Sequence, residues 1–213
     1  MNAGRLVVCS CLAMLVGVAC CAEWEDLSVN SIGRLPPRTY SMPLASEADA
    51  LGGALEPESP YVLSLNGDWK ISWCGDPAQR PLDFWKTDFD DSTWGFIDTD
   101  RHLEKQGVPF GYKNAWFRTK VEIPEKFRGL RTIAYFRGID EGCVLYVNGQ
   151  VAGTLKFDPG NDPDTWKKPM SFDITRFVPA DGRIVISMKV INDVNKGGLW
   201  QPSELRFMEQ ESK

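Results

Sequence analysis

Beyond residue 60, hydrophobic and polar positions alternate with a period of two, the pattern of strands with one face buried and one exposed. Trp69, Ile71 and Trp73 alternate with Lys70 and Ser72, while Phe117, Val121 and Ile123 share a face opposite Arg118, Lys120 and Glu122. Thr132 to Arg137 is a further β-rich run, and Cys143 to Val147 leads through Asn148-Gly149 to Val151. Asn-Gly between two such runs predicts a tight hairpin. Ile184, Ile186, Met188 and Val190 line one side of a long run with Val185, Ser187, Lys189 and Ile191 on the other. Both sides are fairly apolar, which predicts a central strand. Between strands, Pro81 to Lys86 predicts a turn of helix, and Asp90-Asp91-Ser92-Thr93-Trp94 predicts a capped turn that docks Trp94. Trp69, Trp73 and Trp94 are expected in the core. Short strands punctuated by turn signals predict an all-β fold, a single antiparallel jelly-roll β-sandwich over 61–208 with a tail at 209–213.

The first 60 residues follow another pattern. Arg5 is the only charge before Glu23, and Leu6 to Ala22 is almost wholly apolar or small. This predicts a signal peptide over 1–22 and an exported chain, whether periplasmic, cell-surface or secreted. The run is a little short and rich in small residues for a membrane span, which wants roughly 18 apolar residues or more, so no span is expected after cleavage. Cys20 and Cys21 follow Gly17, Val18 and Ala19, which leaves lipid anchoring as another fate, although Gly17 stands where such signals usually carry Leu. From 23 to 60 the chain is broken by Pro36, Pro37, Pro43, Pro57 and Pro60 and reads as an extended N-terminal arm. Its one short helix, Ser46 to Leu51, needs a surface to lie on.

Composition narrows the function classes. Loss of Arg5 with the leader takes the net charge from −5 to −6, which argues against nucleic acid as a partner. The 43% hydrophobic content with 11% aromatics belongs to a folded domain. Four of the six cysteines lie in the leader; Cys74 and Cys143 remain, either paired in an oxidising compartment or buried singly as small side chains. No zinc-type spacing occurs. Asp88, Asp90 and Ser92 imitate a calcium loop, but Thr93 stands where Gly is required, which excludes an EF-hand. The loop from Asp158 to Asp164 gathers enough oxygens for one structural calcium, and also reads simply as an acidic, proline-rich turn.

Three stretches resemble family 2 β-galactosidases: SIGRLPPRTYSMPLASEADAL in the arm, SPYVLSLNGDWKISWCGDPAQRPLDFWKTDFDDSTW at the domain start, and YVNGQVAG followed by FDIT. Asn30, Arg34, Pro36, Pro37, Ser64 to Trp73 and Asp91 to Trp94 follow the order of that family's opening. Gly197 to Arg206 is similar to the segment that closes its sugar-binding domain. The resemblance runs from about Leu27 to Met208 and implies a jelly-roll sugar-binding domain. In the family, an immunoglobulin-like sandwich and a catalytic barrel with two glutamates come next. Thr99-Asp100 and Leu103-Glu104 stand where the family usually has Val-Pro and Trp-Glu, so that wall is expected to differ. No residue matches the loops that reach the family's active site or hold its sodium.

A glycosidase needs two carboxylates roughly 5 to 9.5 Å apart across a sugar, and Asp140 and Glu141, being consecutive, point to opposite faces if extended. Asp193 and Glu204 have no required proximity. The lone His102 offers no nucleophilic triad and reads as a solvated loop residue. No catalytic residue is therefore expected on this chain. Sugar binding is the reading with physical content, because pyranose C–H faces stack on aromatic rings and hydroxyls need convergent polar partners. Tyr112, Trp116, Trp166 and Trp200 are the aromatics nearest to loops; Asn114, Asp140, Glu141, Asn192 and Asp193 are the polar groups near strand ends. The expected partner is carbohydrate, with galactose-containing glycans suggested by the resemblance. Three readings stand: a binding module without the barrel, a fragment or subunit of a β-galactosidase acting only with a separate catalytic chain, and a structural protein-interaction module.

Overall fold

The computed structural model describes residues 31–33, 61–67, 69–74, 76, 79–158, 160–192 and 197–209. Its strands are β1 (Ser31–Ile32), β2 (Val62–Ser64), β3 (Trp69–Cys74), β4 (Gly95–Ile97), β5 (Asn114–Glu122), β6 (Arg131–Phe136) and β7 (Ile139–Asp140). They continue with β8 (Gly142–Val147), β9 (Gln150–Leu155), β10 (Met170–Asp173), β11 (Arg183–Ile191), β12 (Gly198–Leu199) and β13 (Ser203–Met208). Among the described residues the helical elements are short 3-10 turns.

The long alternating run became β11, which lies in the middle of a seven-stranded sheet ordered β1-β9-β8-β11-β5-β3-β4. A four-stranded sheet, β10-β6-β13-β2, and a two-stranded ribbon, β12-β7, complete the architecture, and every pairing is antiparallel. The period-two pattern explains the layering. Phe117, Leu145, Ile186 and Met188 from the larger sheet meet Ala134, Phe136, Phe172, Leu205 and Phe207 from the smaller one in one apolar core. Phe127 stacks on Phe207 with ring centroids 4.3 Å apart. Asn148 and Gly149 both have positive φ, 49° and 81°, as the tight hairpin between β8 and β9 requires.

Several local expectations are corrected. Trp69 is fully buried, but Trp73 is 39% exposed at the end of β3. Trp94 is half-buried and packs on Phe89, 5.5 Å between centroids, outside the main core. The chain over 81–86 forms turns rather than a helix, because Asp83 adopts φ 61° and breaks right-handed winding. Its role is to cover the outer face of the larger sheet, where Phe84, Trp116 and Cys74 make a second small cluster. The Asp90 carboxylate does cap the next turn, accepting from Ser92 N at 2.9 Å. No disulfide joins Cys74 and Cys143; both are buried, and they belong to clusters on opposite sides of one sheet, which keeps them apart.

The leader, the cysteines at 20 and 21, the helix at 46–51 and the tail from 210 lie outside the described residues, as does the arm apart from 31–33. At 31–33, β1 pairs with β9, and Gly33 runs so close that a Cβ would stand 2.4 Å from Ala152 O. Among the described residues no helix is long and apolar enough to cross a membrane.

Candidate functional site

One end of the sandwich carries the strand termini, and there the chain breaks regular pairing several times. Glu141 adopts φ 64° between β7 and β8, and Gly198 adopts φ 97° at the start of β12. Gly198 pairs with Asp140, and a Cβ on it would strike Leu103 at 2.6 Å, so only glycine lets β12 settle there. The ribbon brings three otherwise distant segments together: the 3-10 turn Leu103–Gln106, the β7–β8 corner and the end of β11.

Their polar side chains form one buried group. Tyr112, Glu141 and Asn192 are 2%, 3% and 2% exposed, and Asp140 is 9% exposed. Glu104 is half-buried beside them, its Oε1 accepting from Gly197 N at 3.3 Å. Burial raises the Asp140 carboxyl to about 7, with the charges of Glu141 and Glu104 adding to the shift. The Tyr112 hydroxyl is also pushed up, first by burial and then by Glu104, Asp140 and Glu141, while the neighbouring Asn192 amide works in the opposite direction. Asp140 and Glu141 are expected on opposite faces if extended, and that condition is not met here. The positive φ at Glu141 ends the extended backbone, and both carboxyls act on the same tyrosine.

Beside this floor stands an aromatic rim. Trp166, on the 3-10 turn Thr165–Lys167, and Trp200, just after β12, lie 5.6 Å apart at 48°, with Trp200 Nε1 donating to Trp166 O at 3.3 Å. His102 stacks on Trp200 at 5.1 Å and 3°. All three are half-buried. A Cβ on Gly138 would stand 2.8 Å from Trp200 Nε1, so the bare glycine backbone sets where the indole lies. His102 is therefore no solvated loop residue, and the sequence pattern missed it together with Glu104. Single polar residues in a short turn carry no periodic signal.

The structure thus brings together Tyr112, Asp140, Glu141 and Asn192, and separately Trp166 and Trp200. Trp116 departs from expectation. It is 2% exposed, its ring 6.4 Å from Phe84, because position 116 points to the outer face under the 81–94 segment. Asn114, half-buried at the start of β5, lies opposite Ile191 and Cys74 on strand ends near the same edge. Asp193 lies outside the described residues. In the acidic loop, Asp158 accepts from Asn161 Nδ2 at 2.6 Å, Asp162 from Lys168 at 2.6 Å, and Asp164 pairs with Lys167 at 2.8 Å. Protein donors thus hold these carboxylates. Among the described residues no group of three ligating side chains is placed for a metal ion.

Chemically, the end offers acceptors in a shielded floor beside flat aromatic surfaces, which suits hydroxyl-rich ring compounds.

No protein-family model matches the chain. It is similar to curated enzymes: 24% identical over 200 residues to a β-galactosidase large subunit of Leuconostoc lactis, covering 76% of this chain and 30% of that one. It is 48% identical over 158 residues to a β-galactosidase of Streptococcus thermophilus, covering 62% of this chain and 15% of that one. Among solved structures, a β-glucuronidase from glycoside hydrolase family 2 superposes with TM-score 0.58 at 18% identity, over 70% of this chain and 18% of the other. The Ruminococcus gnavus β-glucuronidase gives 0.58 at 12% identity, over 71% and 30%. The chain is similar to part of these larger proteins and spans under a third of the length of either curated relative.

Proposed function

We propose that this chain is a carbohydrate-binding domain of jelly-roll type, equivalent to the non-catalytic N-terminal domain of family 2 β-galactosidases, and that it hydrolyses nothing by itself. The observation that carries the reading is the pairing of the Trp166–Trp200–His102 rim with the floor of Glu104, Asp140, Glu141 and Asn192. Aromatic faces take the C–H side of a pyranose, and the half-buried Glu104 carboxylate at the edge of the floor takes a hydroxyl. Three carboxyl groups gathered there disfavour an acidic sugar by like-charge repulsion, which points to neutral sugars such as galactose. Export by the leader at 1–22 fits a role on extracellular glycans. The main body of the sandwich is proposed to occupy 61–208, with the arm at 23–60 adding the short edge strand β1 to its larger sheet.

A second reading, that the chain serves a separate β-galactosidase catalytic chain, has its own support. The Leuconostoc lactis relative is a β-galactosidase large subunit, and this chain covers only 30% of it.

Titration of the protein with galactose, lactose and galactan oligosaccharides, followed by tryptophan fluorescence and heat, tests both readings alongside a nitrophenyl galactoside assay. Saturable binding without turnover is expected. Absence of binding favours the subunit reading, and turnover by the pure chain overturns the non-catalytic assignment.

A further inference from the structure

Away from that end, the outer face of the larger sheet holds a cavity of about 290 Å³ where β3, β4 and β5 run side by side. Its lining includes Lys70, Asp91, Phe96, Arg118 and Lys120. Three cations thus surround one carboxylate, in a chain whose net charge is −5. Asp91 serves two of them at once: Oδ1 accepts from Lys70 Nζ at 2.8 Å and Oδ2 from Arg118 Nε at 2.9 Å. Burial alone would raise the Asp91 carboxyl, but these two cations hold it below the usual range.

Arg118 is 1% exposed, and its acceptors are unevenly shared. Nη1 donates to Phe84 O, to Lys86 O at 3.1 Å and to Ser187 Oγ at 2.9 Å, whereas Nη2 is buried and meets no acceptor. A buried cation is stable only when fully compensated. One carboxylate cannot balance Lys70 and Arg118 together, and Lys120 adds a further positive charge at the rim. Phe96 completes the cavity. It projects from edge strand β4 at 73% exposure, with Lys70 Nζ 5.6 Å from its ring centroid.

We propose that this cavity binds a pyranose bearing an ionised oxyanion substituent, with the sugar ring on Phe96 and the anion held by Lys70 and Lys120 above the buried Arg118. The volume is at the lower end of small-molecule sites, roughly 300 to 1,000 Å³, and suits one sugar unit. A nucleic acid would want an extended basic stripe. The choice of a sugar, rather than any other small anion, rests on the carbohydrate reading above; the site itself is separate from the acidic end.

The test is calorimetric titration of the full chain at low ionic strength with galacturonic acid, galactose 6-sulfate, galactose and inorganic sulfate. At least one charged sugar is expected to bind, and whether the carboxylate or the sulfate ester binds more tightly identifies the natural substituent. Lys120→Ala and Phe96→Ala, both at exposed positions, are each expected to weaken binding about tenfold without moving the unfolding midpoint. The proposal is overturned if neither charged sugar binds, if Phe96→Ala leaves affinity intact, or if free sulfate binds as tightly as the sulfated sugar. It is equally overturned if Trp200→Ala, and not Lys120→Ala, removes the response. Galactose reports the other site, so loss of galactose binding alone bears on that reading and leaves this one standing.

Discussion

At the scale of single residues, Asp140 has the clearest measurable consequence. Its carboxyl is raised from 3.8 to about 7 in the folded chain, chiefly by burial and then by Glu141 and Glu104. On unfolding, the proton is lost at the ordinary lower value. Between about pH 4 and 7 the unfolded chain therefore binds fewer protons than the folded one, and stability falls as pH rises through that window and levels off above it. Asp91 and Asp173 are shifted the other way, so their contributions are lost only at more acid pH. Asp140→Asn, which keeps shape but cannot titrate, is expected to flatten the decline and to leave the protein about 1–3 kcal/mol more stable at pH 8. Urea unfolding at pH 5, 6, 7 and 8 measures this, and an unchanged slope would mean that Asp140 ionises normally. The sequence placed Asp140 and Glu141 near a site but could not show their coupling, which depends on a positive φ at Glu141 that no residue pattern announces.

Elements were legible where periodicity was long or turn chemistry strict. The nine residues of β11 alternate without a break: Ile184, Ile186, Met188 and Val190 are buried on one face, while on the other Val185, Lys189 and Ile191 are half-buried around the buried Ser187. The β8–β9 hairpin was readable from two residues, but its anchoring was not. Asn148 Nδ2 donates to Phe177 O at 3.0 Å, and its Oδ1 accepts from Val185 N at 2.9 Å, so one side chain ties the turn to β11 and to the 3-10 turn Thr175–Phe177. Asn148→Ala removes both bonds, leaves a part-buried N–H unmatched and replaces a residue tolerant of φ 49°. A loss of about 2–3 kcal/mol is expected, checked by denaturant unfolding against Gln150→Ala, an exposed neighbour. Trp73 and Trp116 show the limit of pattern reading. Both sit in well-alternating strands, yet the end of the sheet leaves one exposed while the 81–94 segment buries the other. Coverage of a sheet's outer face by a turn-rich segment depends on tertiary placement, and period-two alternation does not record it.

For the whole molecule, the layering puts a rim that solvent reaches above a floor that it barely reaches. Trp166, Trp200 and His102 are half-buried, whereas Tyr112, Glu141 and Asn192 are under 4% exposed. Such a site, standing alone, offers a sugar mainly stacking and the Glu104 carboxylate, so affinity for galactose should be weak. If the dissociation constant is about 10 mM, galactose at about 100 mM stabilises the fold by about 1.4 kcal/mol and raises the melting midpoint by about 3–5 °C. The same concentration of mannitol controls for solvent effects. Trp200→Ala should abolish the galactose-specific part of the shift. Gly138→Ala should do likewise without removing any aromatic ring, because its Cβ would stand 2.8 Å from Trp200 Nε1 and displace the indole. That pair separates position from composition: if Gly138→Ala binds as wild type while Trp200→Ala does not, the rim tolerates movement and only the ring's presence matters. If both variants keep the full shift, galactose does not sit on this rim, and the carbohydrate reading of this end of the sandwich fails.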